Sequence, residues 1–529
     1  MKLATATVVA AAAVAEAGAG KAWGRDLSAR PERTHPLASS VAVYQHLGTP
    51  KCCVGSYSHW KWWKRLQPTT ERVDTPPVTG AGGTSSGPID PRVAVETARI
   101  GQNDPTTDRA ARDRDDGVEV SDIGGTRVVT EAMPNLRSVA VGLWVGSGAV
   151  DEDERQFGAS HFLEHLLFKG TAERTAADIA AAVESVGGDM NAFTTQEYTA
   201  FYVRVPDNHL ELALDILADV VWRPAFRPDE VESERNVILE EIGMRDDAPD
   251  DVVHELANAA LFPHHPLGRS VLGTRESITA MPRDVIADYH AAHYRPRNVV
   301  VAAAGNLDHE RVADHVAHLV PSTRGTRPQR LQFPFHPIVR TTGDQRATEQ
   351  AHLVLSLPSI ARDDPDRYAL SVLSQILGGG MSSRLFQEVR ERRGLAYSVY
   401  AYRAAYETTG SMSIYAGTAP ERVAETLNVV RAELARLVAD GLPDHELLAA
   451  KGHLKGATTL ALETSSSRMH RLGRGLLTLG EIPSVDAIVA AVDAVTVADV
   501  RRVIDRVFAT DEQVLSVVGP LDVAALAAA

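Results

Sequence analysis

The feature that most constrains this chain is that it contains one structural plan twice. The segment Gln350 to Leu357 (QAHLVLSL) repeats the pattern of Ser138 to Val145 (SVAVGLWV), and Gly519-Pro520-Leu521-Asp522 repeats Gly305-Asn306-Leu307-Asp308 at almost the same offset along the chain. Two markers so far apart that keep nearly one offset indicate duplication of a whole domain, each copy about 200 residues long. Ser138 to Val145 alternates and is rich in β-branched residues, as a half-buried strand should be, and Asn298 to Ala304 reads as another strand. Helical periods run over Ser160 to Lys169, closed by Gly170 at the C′ position, and over Ala176 to Val186, Leu210 to Val221, Asp229 to Arg245 and Asp284 to His293. Strands and helices in such numbers predict an α+β fold of two homologous domains.

Composition sets the outer limits. With 529 residues, 44% hydrophobic and 23% charged, the chain can bury full cores, and collagen-like, fully disordered and disulfide-scaffold classes are excluded. The longest apolar run extends only from Leu3 to Ala15. A membrane-spanning helix needs about 18 residues, more than that run provides, so no stable membrane insertion is expected. The two cysteines, Cys52 and Cys53, are adjacent and make poor disulfide partners, so any metal must be held by His and carboxylate groups.

Residues 1–116 differ from the rest: they hold four of the six Trp, five of the eight Lys and both Cys, and they carry a net charge of +3. The remainder therefore carries −18 of the total −15, which argues against a nucleic-acid partner. Residues 66–116 have a linker composition without helical or strand period. The start, with Lys2, the apolar run and Ala15-Glu16-Ala17, resembles a secretory signal. The competing explanation is a translation start placed too far upstream. A cytoplasmic location is expected, or an exported one if residues 1–17 act as a signal. Pro321 to Arg340 has four Pro, four Arg and no acidic residue, so the domains are placed at 117–320 and 346–529 with a linker over 321–345.

The chemistry lies in the first copy, in His161-Phe162-Leu163-Glu164-His165. On a helix, residues four apart share a face, so the two imidazoles converge and Glu164 lies beside them. This H-x-x-E-H pattern is the inverted zincin motif, in which one helix supplies two zinc ligands and a general base. Zinc needs a third protein ligand and an open position for water. The acidic segment Asp229 to Arg245 offers Glu234 and Glu241, seven apart on one face; a solvated acidic helix has the same pattern. Gly378-Gly379-Gly380 lacks the following Gly-Lys-Ser/Thr of a phosphate loop and reads as a packing or hinge element.

His161-x-x-Glu164-His165, followed further along the chain by Glu241 in Val237-Ile238-Leu239-Glu240-Glu241, resembles the M16 metallopeptidases, the group of pitrilysin and insulin-degrading enzyme. The two-domain size and the phrase Gly187-Gly188-Asp189-Met190-Asn191-Ala192-Phe193-Thr194 resemble the mitochondrial processing peptidase branch and its bacterial relatives. The resemblance runs from about Val118 to Leu526. It implies two domains, each a mostly antiparallel sheet packed with helices, that together form half of a clamshell. It further implies one Zn2+ per chain on His161, His165 and Glu241, with Glu164 as base and Glu234 supporting the first helix. Asn191 and Ala192 fall on the family's edge strand, which pairs with substrate backbone. Arg390 and Tyr397 fall where the family has an Arg and a Tyr that contact substrate and the oxyanion; Arg392 and Arg393 stand beside Arg390, and residue type alone does not choose among them. Because that pair belongs to the half opposite the zinc helix, the resemblance implies a homodimer with sites completed in trans, acting on peptides. The second copy has no H-x-x-E-H near Ser374 and Gln375, so it is expected to keep the fold without the metal. A non-catalytic structural subunit, as in respiratory complexes, and a processing peptidase for presequences or pro-peptides are the alternatives.

Overall fold

The apolar runs of the repeated region pair into two sheets. The structure, a computed structural model, describes residues 117–529 except 323, 324, 326, 327, 331, 332, 334–339, 511 and 529; the signal-like start and the leader over 1–116 lie outside the described residues. The first sheet contains β1 (Val118–Ile123), β2 (Thr126–Ala132), β3 (Ser138–Val145), β4 (Asp189–Thr194), β5 (Thr199–Pro206) and β6 (Val299–Gly305), in the order β1-β2-β6-β3-β5-β4. The second contains β7 (Arg340–Gln345), β8 (Ala351–Ser359), β9 (Ala396–Ala405), β10 (Gly410–Thr418) and β11 (Val514–Gly519), in the order β7-β11-β8-β10-β9. In each sheet one pair is parallel, β2 with β6 and β7 with β11, and the others are antiparallel. The two orders coincide strand for strand once β1 is set aside, which is the duplication seen in the sequence. β7 occupies 340–345, so the last six residues of the stretch read as linker belong to the second sheet. Their pairing with β11 makes them a strand despite a polar sequence, because an exposed edge strand needs no apolar face.

Seven helices position the site. They are α1 (Ala159–Leu166), α2 (Leu210–Trp222), α3 (Pro228–Asp246), α4 (Pro249–Leu261), α5 (Arg283–His293), α6 (Arg367–Gly378) and α7 (Ser465–Thr478). On β3, Val139, Val141, Leu143 and Val145 face a core that includes Phe162 and Leu163 of α1, Leu214 and Leu217 of α2 and Ile238 and Ile242 of α3. The alternate residues Ala140 and Trp144 face Met469, Leu472 and Leu476 of α7. β3 is therefore buried on both faces rather than one, because a helix from the second half of the chain covers the face that the alternation left to solvent. The exchange is reciprocal: Val252, Val253 and Ala257 of α4, from the first half, pack on Val354, Tyr415 and Val518 of the second sheet.

Close approach of α7 to the first sheet depends on a missing side chain. A Cβ on Gly473 would run into the indole of Trp144. Buried charge ties the same helix down: Arg468 and Arg471 both pair with Glu131 of β2, which is 1% exposed. Gly473→Val is expected to lower stability by about 1–3 kcal/mol through overpacking. A reduced urea midpoint with unchanged slope would show it.

Candidate metal centre

Helix α1 starts at Gly158, which has φ 94° and no side chain to cap the turn. Every residue from Ala159 to Leu166 is buried. A 3-10 turn over Leu167–Lys169 and Gly170, at φ 122°, end the segment where the sequence placed its stop. Phe162, Leu163 and Leu166 supply the apolar contacts. The histidines consequently point into protein, where they need polar partners.

Helix α3 provides those partners. Glu241 Oε2 lies 3.6 Å from His161 Nε2 and 3.4 Å from His165 Nε2, and the two imidazole centroids are 4.7 Å apart. One ligand atom from each of the three residues falls within 4.8 Å of the other two. For bonds of about 2.0–2.1 Å at a tetrahedral angle, ligand atoms stand about 3.3 Å apart, so these separations fit a tetrahedral ion of the zinc type. Glu234, seven residues earlier on α3, accepts a hydrogen bond from His165 Nδ1 at 2.7 Å and pairs with Lys169 Nζ at 2.6 Å. That contact leaves Nε2 as the atom facing Glu241, the usual arrangement behind a metal-bound imidazole.

Electrostatics follow the geometry. Burial alone would lower the His165 pKa, but hydrogen bonds to Glu234 and Glu241 and the charge of Glu164 prevail and raise it to about 9. Burial of Glu234 opposes its ionisation, yet the hydrogen bonds from His165 and Lys169 hold its carboxyl below the ordinary value. Glu164 is 8% exposed, and its charge helps to raise the pKa values of Tyr202 and Tyr294, for which burial is the larger cause.

The remaining sequence candidates fall in two places. Asn191 and Ala192 lie on β4, the edge strand of the first sheet, where Asn191 is opposite Tyr202 and Ala192 opposite Phe201. Arg390 lies in a π-helical turn, Phe386–Glu391, and its guanidinium is 4.7 Å from the Phe386 ring and 4.8 Å from the Tyr397 ring. Tyr397 is 78% exposed. Arg392 and Arg393 are both tied to Glu388, which leaves Arg390 as the arginine stacked on Tyr397. Among the described residues no hydrogen bond or ion pair joins Arg390 or Tyr397 to the three ligands. Lys169 and Glu152 escaped sequence reading. Lys169, four residues after His165, carried a detectable helical spacing; Glu152 carried none.

Comparison with known proteins agrees with this geometry. The sequence profile described as insulinase (peptidase family M16) matches residues 127–275, and that of the peptidase M16 inactive domain matches residues 280–454. An uncharacterized zinc protease of Streptomyces coelicolor is 44% identical over 407 residues, covering 75% of this chain and 88% of the relative. An uncharacterized zinc protease of Bacillus subtilis is 38% identical, covering 75% and 96%. Two solved structures share the fold: a peptidase M16 inactive domain from Pseudomonas fluorescens, with TM-score 0.72, 24% identity and coverage of 77% and 98%, and a protease from Helicobacter pylori, with TM-score 0.72, 23% identity and coverage of 76% and 99%. The chain belongs to peptidase family M16. Among the described residues no helix is long and apolar enough to cross a membrane.

Because the His165 pKa is raised above its ordinary 6.5, its contribution to stability in metal-free protein is complete below about pH 6.5 and lost as pH rises through about 9. The melting temperature of chelator-treated protein is expected to fall across that window. Glu234→Gln should flatten the fall, and thermal scans at stepped pH would check both.

Proposed function

We propose that this chain is a zinc-dependent endopeptidase or oligopeptidase that cleaves extended peptides in an enclosed, clamshell chamber, as a homodimer with one zinc per chain. The observation that carries the reading is the convergence of His161, His165 and Glu241 on one point, with Glu164 one residue from a ligand and Glu234 behind it. The zinc protease names of its relatives support the same metal and reaction. A purely structural subunit would have no use for this complete donor set.

Zinc held by His161, His165 and Glu241 would supply a Lewis acid for the scissile carbonyl and for water. The protein does the rest. Glu164 takes the proton of the attacking water and delivers it to the leaving amine. Glu234 holds the His165 ring so that Nε2 faces the centre. Strand β4, which carries Asn191 and Ala192, is the edge of the first sheet, and the Ala192 N–H there is taken only by the Asn191 side chain, at 2.8 Å; an extended peptide adds to this edge as a further strand. Strand addition reads backbone and so tolerates varied side chains. Folded proteins present no free strand and should resist cleavage.

Arg390 and Tyr397 supply a guanidinium and a phenol that donate hydrogen bonds to the developing oxyanion. Arg390 and Tyr397 lie in the second lobe, and among the described residues neither hydrogen-bonds to the three ligands of its own chain, which supports completion of each site by a partner's pair. A two-fold dimer of one chain then has two sites. A cytoplasmic location completes the reading.

Glu164→Gln is expected to keep bound metal while lowering peptide cleavage by about 10²–10⁴-fold, measured by metal analysis and a fluorogenic peptide assay. Retained turnover would refute the mechanism. Mixing inactive Glu164→Gln with inactive Tyr397→Phe should restore activity through hybrid dimers. No rescue, with subunit exchange verified, would place both sets of residues in one chain's site.

A further inference from the structure

Beside the start of the metal helix lies a buried carboxyl group that the mechanism does not use. Glu152 is 5% exposed, and its two oxygens accept the backbone N–H groups of Gly158 and Ser160, each at 2.8 Å. The first N–H groups of any helix lack partners within it. Here Gly158 sits at the capping position without a side chain, and Glu152 takes over the task from six residues away. His161 follows Ser160 directly, so this carboxyl group sets the height and rotation of the turn that carries the first ligand.

The same turn is held from a second direction. Ser160 Oγ is 2.8 Å from Tyr289 Oη on α5, and that hydroxyl also contacts Ser147 Oγ at 2.9 Å and the Gly148 carbonyl at 3.2 Å. Burying a carboxyl group here is costly, and desolvation raises the pKa of Glu152 to about 8 against the lowering effect of the two backbone N–H groups. A Ser or Asp cap has no room here, because Gly158 has φ 94° and a Cβ on it would run into Ile278 and Gly273, so the carboxyl group has to come from elsewhere in the chain.

Asp151, the neighbour of Glu152, faces the lobe junction. It receives Arg330 Nε at 3.0 Å and Nη2 at 2.9 Å. Arg330 comes from the segment between the sheets, and it also donates to Glu407 of the β9–β10 connection at 2.7 Å and to the Glu197 carbonyl at 3.0 Å. Contacts thus run from Glu407 in the second lobe through Arg330 to Asp151, and the peptide bond joins Asp151 to Glu152, which holds the first turn of α1.

We infer that Glu152 is a positioning residue for the metal site, seating the helix turn of His161, and that Arg330 holds it in place through Asp151. The inference rests on the metal reading of His161, His165 and Glu241. Groups that orient metal ligands from behind typically change metal affinity about 10–100-fold when removed, so a change of that size is expected at a residue that seats a ligand's backbone.

The test uses the full chain loaded with cobalt(II), whose visible absorption reports ligand geometry, together with competition against a chelator. Glu152→Gln, which exchanges one acceptor oxygen for a donor, and Arg330→Met are each expected to weaken cobalt(II) binding by about 10-fold or more and to shift the absorption band. In the zinc-loaded protein, kcat should fall while KM for a peptide changes little. Glu152→Asp, which keeps the carboxyl group on a shorter arm, should give an intermediate shift and serves as the test variant if Glu152→Gln fails to fold. A folded Glu152 variant with wild-type spectrum and affinity overturns the positioning role. Arg330→Met with wild-type values overturns the route through Asp151. Failure of the wild-type chain to bind cobalt(II) overturns the metal reading itself, and the inference with it.

Discussion

A helix buried at all eight positions that nevertheless carries two histidines and a glutamate is the constraint around which the first lobe is built. Polar groups removed from water must find partners, or the fold loses more than any apolar contact returns. Around α1 the partners come from distant segments. Glu234 and Glu241 reach in from α3, Lys169 follows from the adjoining turn, Glu152 receives the first amides, and Tyr289 holds Ser160. Stability and chemistry therefore share the same groups. The arrangement that satisfies the buried imidazoles is also the one that aims two nitrogens and a carboxylate oxygen at a single point.

The two lobes are not independent units placed side by side. Helix α7 of the second half closes the first sheet and α4 of the first half closes the second, so each sheet needs the other half of the chain to bury its second face. Buried ion pairs at Glu131 and at Asp151 with Arg330 reinforce this exchange. Removal of one partner from such a pair leaves a charge stranded away from water, which is why these contacts resist separation of the lobes.

Much of this was legible in the linear pattern, and the reasons are specific. The stop of α1 at Gly170, the strand Ser138–Val145 and the helix around Asp229 to Arg245 depend on local periodicity and on turn chemistry, which act over a few residues. The H-x-x-E-H pattern is legible because helical geometry converts a spacing of four into a shared face. Burial of β3 on both faces was not, since the covering helix lies more than three hundred residues away in sequence. Strand β7 was also missed, because its polar residues are ordered by pairing with β11 and not by burial. Glu152 gave no local signal at all: its role exists only because the chain turns back at Gly158 and presents two amides to it.

The sequence by itself determined the duplication, the α+β class, the ligand-bearing helix and the choice between a metal-bearing first copy and a second copy without that motif. These follow from spacing and residue type, which folding does not alter. Tertiary structure alone decided that Glu234 stands behind His165 while Glu241 faces both histidines, since both carboxylates occupy one face of α3 and only its docking against α1 tells them apart. It also decided that each half completes the other's core. Helix-face geometry is set within a few residues, whereas the distance between two helices is set by everything packed around them.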